Sequence, residues 1–143
     1  YGMNEIQMHV PGLDPFVPTL DNEIVSTGWI VIHRRINGKI SFDKTLEEYH
    51  KGFGNFGTNE ELWLGLERIH KITTHQQHEL YIHYVDYSNE THYARYDNFV
   101  VGSQKEQYTL KSLGKYVGDT RDMLRISMNV GFTKSSNYEH AWW

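Results

Sequence analysis

Two stretches of this chain predict an α+β domain, with short helices laid on an antiparallel sheet. Residues 58–73 (TNEELWLGLERIHKIT) carry Leu62, Leu66, Ile69 and Ile72 on a helical period, with Trp63 beside them. Residues 78–87 and 91–101 are rich in tyrosine and alternate as strands, and Ser88-Asn89-Glu90 joins them as a hairpin. At 143 residues the chain is long enough for one domain with its own core.

The helix over 58–73 has its own punctuation. Thr58 and Glu61 stand at the spacing of a capping box, in which each side chain satisfies the other's free backbone N–H. Acids gather in the first turn and bases in the last, as the helix dipole favours. Glu67, Arg68, His70 and Lys71 take the polar side. Gly65 costs such a helix about 1 kcal/mol relative to alanine, so another backbone or a large ring is expected to pass close to it. Trp63 is expected in the core.

Residues 1–10 alternate loosely, with Ile6, Met8 and Val10 on one side, and read as a short edge strand. Pro11-Gly12-Leu13-Asp14-Pro15 is a turn. Residues 16–20 form a second short strand, which Pro18 confines to an edge. Residues 28–36 (GWIVIHRRI) put Trp29 and Val31 on one face and Ile30 and Ile32 on the other, a strand buried on both sides. Asn37-Gly38 is a type I′ hairpin signal that returns residues 39–43 as the partner strand. Arg34 and Arg35 are solvated strand-end charges.

Residues 45–51 form a short helix opened by a second capping box, Thr45 with Glu48. Residues 52–57 (GFGNFG) lack the lysine of a phosphate loop and follow a helix rather than a strand, so they read as a tight connection between two helices. Residues 107–113 are a further strand, 114–118 a turn and 119–127 a weakly periodic start of a helix. From Asn129 onward no period is visible.

Net charge is −4, with no basic field for nucleic acid and no basic amphipathic helix for a membrane. No apolar run reaches the length of a membrane span. The first residue is Tyr1 and no signal-peptide pattern is present, so the expectation is a mature form or a fragment. Cysteine is absent, which excludes disulfides and thiolate metal sites.

Nine histidines invite a metal reading, and His70, His75 and His78 are the densest group. They lack the H-E-x-x-H pattern of a helical zinc site, and surface histidines are the better reading. No G-x-S-x-G elbow is present. Asp97, Asp119 and Asp122 are separated carboxylates that read as solvated turn residues. No catalytic, cofactor or metal residue is assigned. Asn89-Glu90-Thr91 is an N-glycosylation sequon at the expected hairpin tip, so Asn89 is the single modification site.

Several of these segments together resemble one family. Residues 28–35 (GWIVIHRR) resemble the G-W-x-V-x-Q-R-R stretch of fibrinogen C-terminal-like domains, with His33 where the family has Gln. Asn37-Gly38 through Phe42, residues 49–56 (YHKGFGNF) and residues 61–70 (ELWLGLERIH) resemble its D-G-x-x-x-F, Y-x-x-G-F-G-x-L and E-F-W-L-G-L-E-x-I-H motifs. Glu79-Leu80, Tyr93-Ala94, Tyr96, Phe99, Val101-Gly102-Ser103 and the final Ala141-Trp142-Trp143 continue the likeness, which is nearest the arthropod-type fibrinogen-related proteins.

The resemblance implies a twisted antiparallel central sheet flanked by short helices. It implies a single fibrinogen-like domain over 1–143, divided into an N-terminal part (1–24), a central sheet (25–117) and a remnant of the ligand-binding lobe (118–143). It implies a secreted, non-enzymatic recognition module, like the ficolins, tachylectins and angiopoietins, with a glycan or cell-surface protein as ligand and assembly as a homo-oligomer. The family's disulfides have no cysteines here, and residues 134–140 offer Glu139 alone where the family has an Asp-rich calcium loop. No cofactor is therefore expected. The chain ends before the family's last central strand, so an open sheet edge and self-association are expected. Two rival readings are a degenerate chain without a ligand and a histidine-based metal enzyme.

Overall fold

A computed structural model describes residues 7–24, 28–57 and 59–132. It divides into two compact units, Tyr1–Lys71 and Ile72–Trp143.

In the first unit, β1 (Leu20–Asp21) pairs antiparallel with β2 (Trp29–Ile30). A second small sheet runs in the order β3 (His33–Arg34), β5 (Leu62–Trp63), β4 (Phe53–Gly54), all antiparallel. Residues 28–36 are therefore not one strand. The amide of Val31 donates to Thr19, while the carbonyl of Ile32 accepts from Leu64. The two halves of the extended segment thus take different partners. Met8 and Phe16 form an isolated bridge rather than two strands. Ile6 lies outside the described residues.

Helix α1 (Leu46–Lys51) opens as its sequence requires. Thr45 Oγ1 accepts from the Glu48 amide and the Glu48 carboxylate accepts from the Thr45 amide, so the capping box is complete. Helix α2 is Leu66–His75, which corrects the expected span of 58–73. Leu62 and Trp63 belong to β5 instead. The reason is Gly65, at φ +111°, where a β-carbon would stand 2.7 Å from the carbonyl oxygen of Lys51. The chain can make this close approach only without a side chain and only in a conformation foreign to a helix. The expected passing backbone is thus the end of α1. The stripe of Leu66, Ile69 and Ile72 is buried as its spacing requires.

Glu61 also departs from its expected capping role. Its carboxylate is buried and accepts from the amides of Asn37 and Lys39, at 3.1 and 3.0 Å. Thr58, the other half of that box, lies outside the described residues. The same carboxylate explains why Asn37-Gly38 makes no hairpin: only Gly38 has positive φ, and residues 39–43 form no strand. Residues 52–57 also hold more than a connection, since β4 lies within them. The core of this unit is aromatic. Trp63, at 1 % exposure, packs edge-on against Tyr49 and His33, and its Nε1 donates to the Tyr49 carbonyl at 2.8 Å.

The second unit holds the expected hairpin. Strands β6 (Leu80–Val85) and β7 (Thr91–Tyr96) pair over their full length. The residues past the hairpin form β8 (Val100–Val101), which pairs with β9 (Leu110–Ser112). Residues 116–118, expected as a turn, form β10 (Tyr116–Gly118) and pair with β7. The order is β10, β7, β6. Small residues, Gly118 opposite Ala94, sit on the buried side of that pairing. The helix expected over 119–127 is reduced to one 3-10 turn, Arg125–Ser127. The buried Tyr96, Phe99, Val101, Tyr108, Leu110, Leu113 and Phe132 fill this unit's core. Residues 134–140, Trp142 and Trp143 lie outside the described residues.

Candidate functional site at the hairpin tip

Strand alternation gives the hairpin two different faces. Leu80, Ile82, Ala94 and Tyr96 point to the core side. On the other side, the rings of Tyr81 and Tyr93 stack at 5.9 Å and 12°, beside a paired Arg95–Glu79 at 2.7 and 3.1 Å. Val85 and Val117 are half exposed there.

The turn is built around Asp86. Its amide donates to Glu90 and its carbonyl accepts from Asn89. Its Oδ1 accepts from the amides of Ser88 and Glu90, at 2.8 and 2.9 Å. Asn89 is exposed at φ +62°, a conformation that asparagine tolerates better than other non-glycine residues. Thr91, the third residue of the sequon, is exposed as well.

Asp86 Oδ2 faces Nε2 of His92 at 2.7 Å. Nδ1 of the same ring faces Oδ2 of Asp119 at 3.5 Å. Asp119 is fixed in turn, because its Oδ1 accepts from the Tyr93 amide at 3.0 Å. The Tyr84 ring lies 5.2 Å away and covers one side of the imidazole. The hydrogen bond to Asp86 raises the His92 pKa, against the opposing effect of burial, and the Asp119 charge adds to the rise. The bond from His92 holds the Asp86 carboxyl below its ordinary value. Together with Glu90, Asp86 and His92 bring three ligand atoms within 4.8 Å of one another.

This grouping was missed in the sequence. Asp119 reads there as a solvated turn residue, whereas it backs the imidazole. Asp97 and Asp122 likewise hold structure: Asp97 accepts from the Lys115 amide, and Asp122 from the Tyr96 hydroxyl and from Arg125. The register Tyr84 opposite His92, with a turn from Asp86 to Glu90, was the available signal. His70, His75 and His78 belong to no metal-ligating group among the described residues.

A family model for the C-terminal globular domain of the fibrinogen beta and gamma chains matches residues 6–142. The chain belongs to the fibrinogen C-terminal domain family. Fibrinogen-like protein 1 of Bos taurus is 38 % identical over 117 residues, which cover 81 % of this chain and 35 % of that protein. The fibrinogen-like globe of human ANGPTL2 superposes with a TM-score of 0.82 at 29 % identity, over 94 % of this chain and 61 % of that one. Lamprey fibrin D-dimer, solved with the peptide Gly-His-Arg-Pro-amide, gives a TM-score of 0.70 at 29 % identity, over 89 % of this chain and 38 % of that one. The chain thus spans about a third of that curated relative and about three fifths of the ANGPTL2 globe.

Proposed function

We propose that this chain is a secreted, non-enzymatic recognition module that binds an extracellular ligand, either an acetylated sugar or a protein surface. Membership of the fibrinogen C-terminal domain family carries this reading. The peptide complex of lamprey fibrin, at 29 % identity, supports a protein or peptide ligand for this architecture. In this reading Asn89 carries an N-linked glycan at the exposed hairpin tip, and ligand capture needs no calcium. The chain also assembles with copies of itself.

The test is capture of the purified chain on N-acetylated sugar resin and on intact cell surfaces, with calcium and with chelator. Retention on either surface, unaffected by chelator and competed by free ligand, is the expected result. Failure to bind sugars, cells or a peptide library would leave a family member without a ligand and refute the proposal.

A further inference from the structure

The imidazole at the hairpin tip has a problem of charge. A neutral ring carries one N–H. Whichever nitrogen holds it, the other turns a lone pair toward a carboxylate, at Asp86 or at Asp119. Nδ1 is buried and has no hydrogen-bond partner among the described residues. Glu90 adds a third carboxylate beside the ring. Among the described residues no lysine or arginine pairs with Asp86, Glu90 or Asp119. Three carboxylates thus converge on one imidazole, and ligand atoms of Asp86, Glu90 and His92 all lie within 4.8 Å of one another.

We propose that Asp86, Glu90 and His92, with Asp119 behind the ring, bind a divalent transition-metal ion of the zinc class. Nε2 of His92, Oδ2 of Asp86 and the Glu90 carboxylate supply the ligand atoms. Asp119 Oδ2 stands 3.5 Å from the ring's other nitrogen, where a carboxylate behind a metal-bound histidine would accept its N–H. Both aspartates are already positioned by backbone amides, those of Ser88 and Glu90 for one and that of Tyr93 for the other. The mixed nitrogen and oxygen donors suit zinc, whereas calcium needs six to eight oxygens. These residues are distinct in sequence from 134–140, where the family has a calcium loop that this chain lacks, and the proposal does not rest on the ligand reading above.

Calorimetric titration of zinc chloride into the full, unglycosylated chain tests this. One saturable site is expected, with no comparable heat from calcium chloride. Glu90→Gln alters an exposed side chain and leaves the fold intact, as circular dichroism will check. It should weaken zinc binding at least about tenfold, as should His92→Asn, with Asp119→Asn weakening it less or equally. Absence of saturable zinc binding would overturn the proposal. So would affinity unchanged in both Glu90→Gln and His92→Asn, which would place the ion on other histidines.

Discussion

His33 should make this protein acid-sensitive in a way that a single substitution removes. Its ring lies 5.3 Å from both Phe42 and Trp63, and its Nε2 is buried without a hydrogen-bond partner among the described residues. Burial, with the Arg35 charge nearby, lowers its pKa from 6.5 to about 4. Above pH 6.5 the ring is neutral in both folded and unfolded chains and contributes no pH dependence. Between 6.5 and about 4 the unfolded chain takes up a proton that the folded chain refuses, so stability falls with pH. Below about 4 the folded ring protonates too, and the loss levels off. At about 1.4 kcal/mol per pH unit, the full effect is on the order of 3 kcal/mol. His33→Gln keeps a polar side chain of similar reach that does not titrate. Urea unfolding of both proteins from pH 7.5 to 4 should show the parent losing about 3 kcal/mol more than the variant. Parallel pH profiles, or an imidazole that titrates near 6.5 by NMR in the folded chain, would refute the reasoning.

Trp63→Ala should cost about 3–5 kcal/mol in urea unfolding, and a loss under about 1 kcal/mol would contradict its place at the centre of the aromatic core. Gly65→Ala, placed at φ +111° against the Lys51 carbonyl, should lower the thermal midpoint well beyond the effect of an ordinary exposed substitution. An unchanged midpoint would mean that the close approach is absent. Secretion from a eukaryotic cell should add a glycan mass that Asn89→Gln abolishes; equal masses would remove that assignment. Strand β6 pairs with β7 alone among the described residues and exposes Tyr84 and Val85. Ultracentrifugation should therefore detect self-association, and a single monomeric species across the concentration range would count against it.

The parts of the fold that were legible in the sequence are those whose signal is local. Thr45 and Glu48 meet across one helical turn, and β6 and β7 meet across a short turn, so spacing alone locates them. The misplaced start of α2 shows the limit. Leu62 and Leu66 lie on a helical period with Trp63 beside them, yet a glycine lets the chain kink, and Leu62 and Trp63 join β3 and β4. That outcome depends on backbone contacts to residues far away in the chain, which periodicity does not encode. Glu61 tells the same story: a short-range capping spacing lost to amides more than twenty residues earlier. The hairpin-tip cluster was hidden for a related reason. Asp119 reaches His92 through the pairing of β10 with β7, and β10 is only three residues long, set between Gly114 and its own last residue, Gly118. Asn89 needed only its own triplet and the turn around it.

The contact between Gly52 and Gly65 has a consequence for how this sequence can vary. A β-carbon on Gly65 would meet the backbone of Lys51 and Gly52, and one on Gly52 would meet the backbone of Trp63 and Leu64. Both additions would press on the same crossing of two main chains. Once the first methyl has forced the segments apart, the second enters space already opened. The two alanine substitutions should then be epistatic, the pair costing less than its separate members combined, as neighbours that share one strain do. Drift away from glycine at this crossing is therefore opposed more strongly at the first step than at the second, although the positive φ at each position keeps a cost of its own.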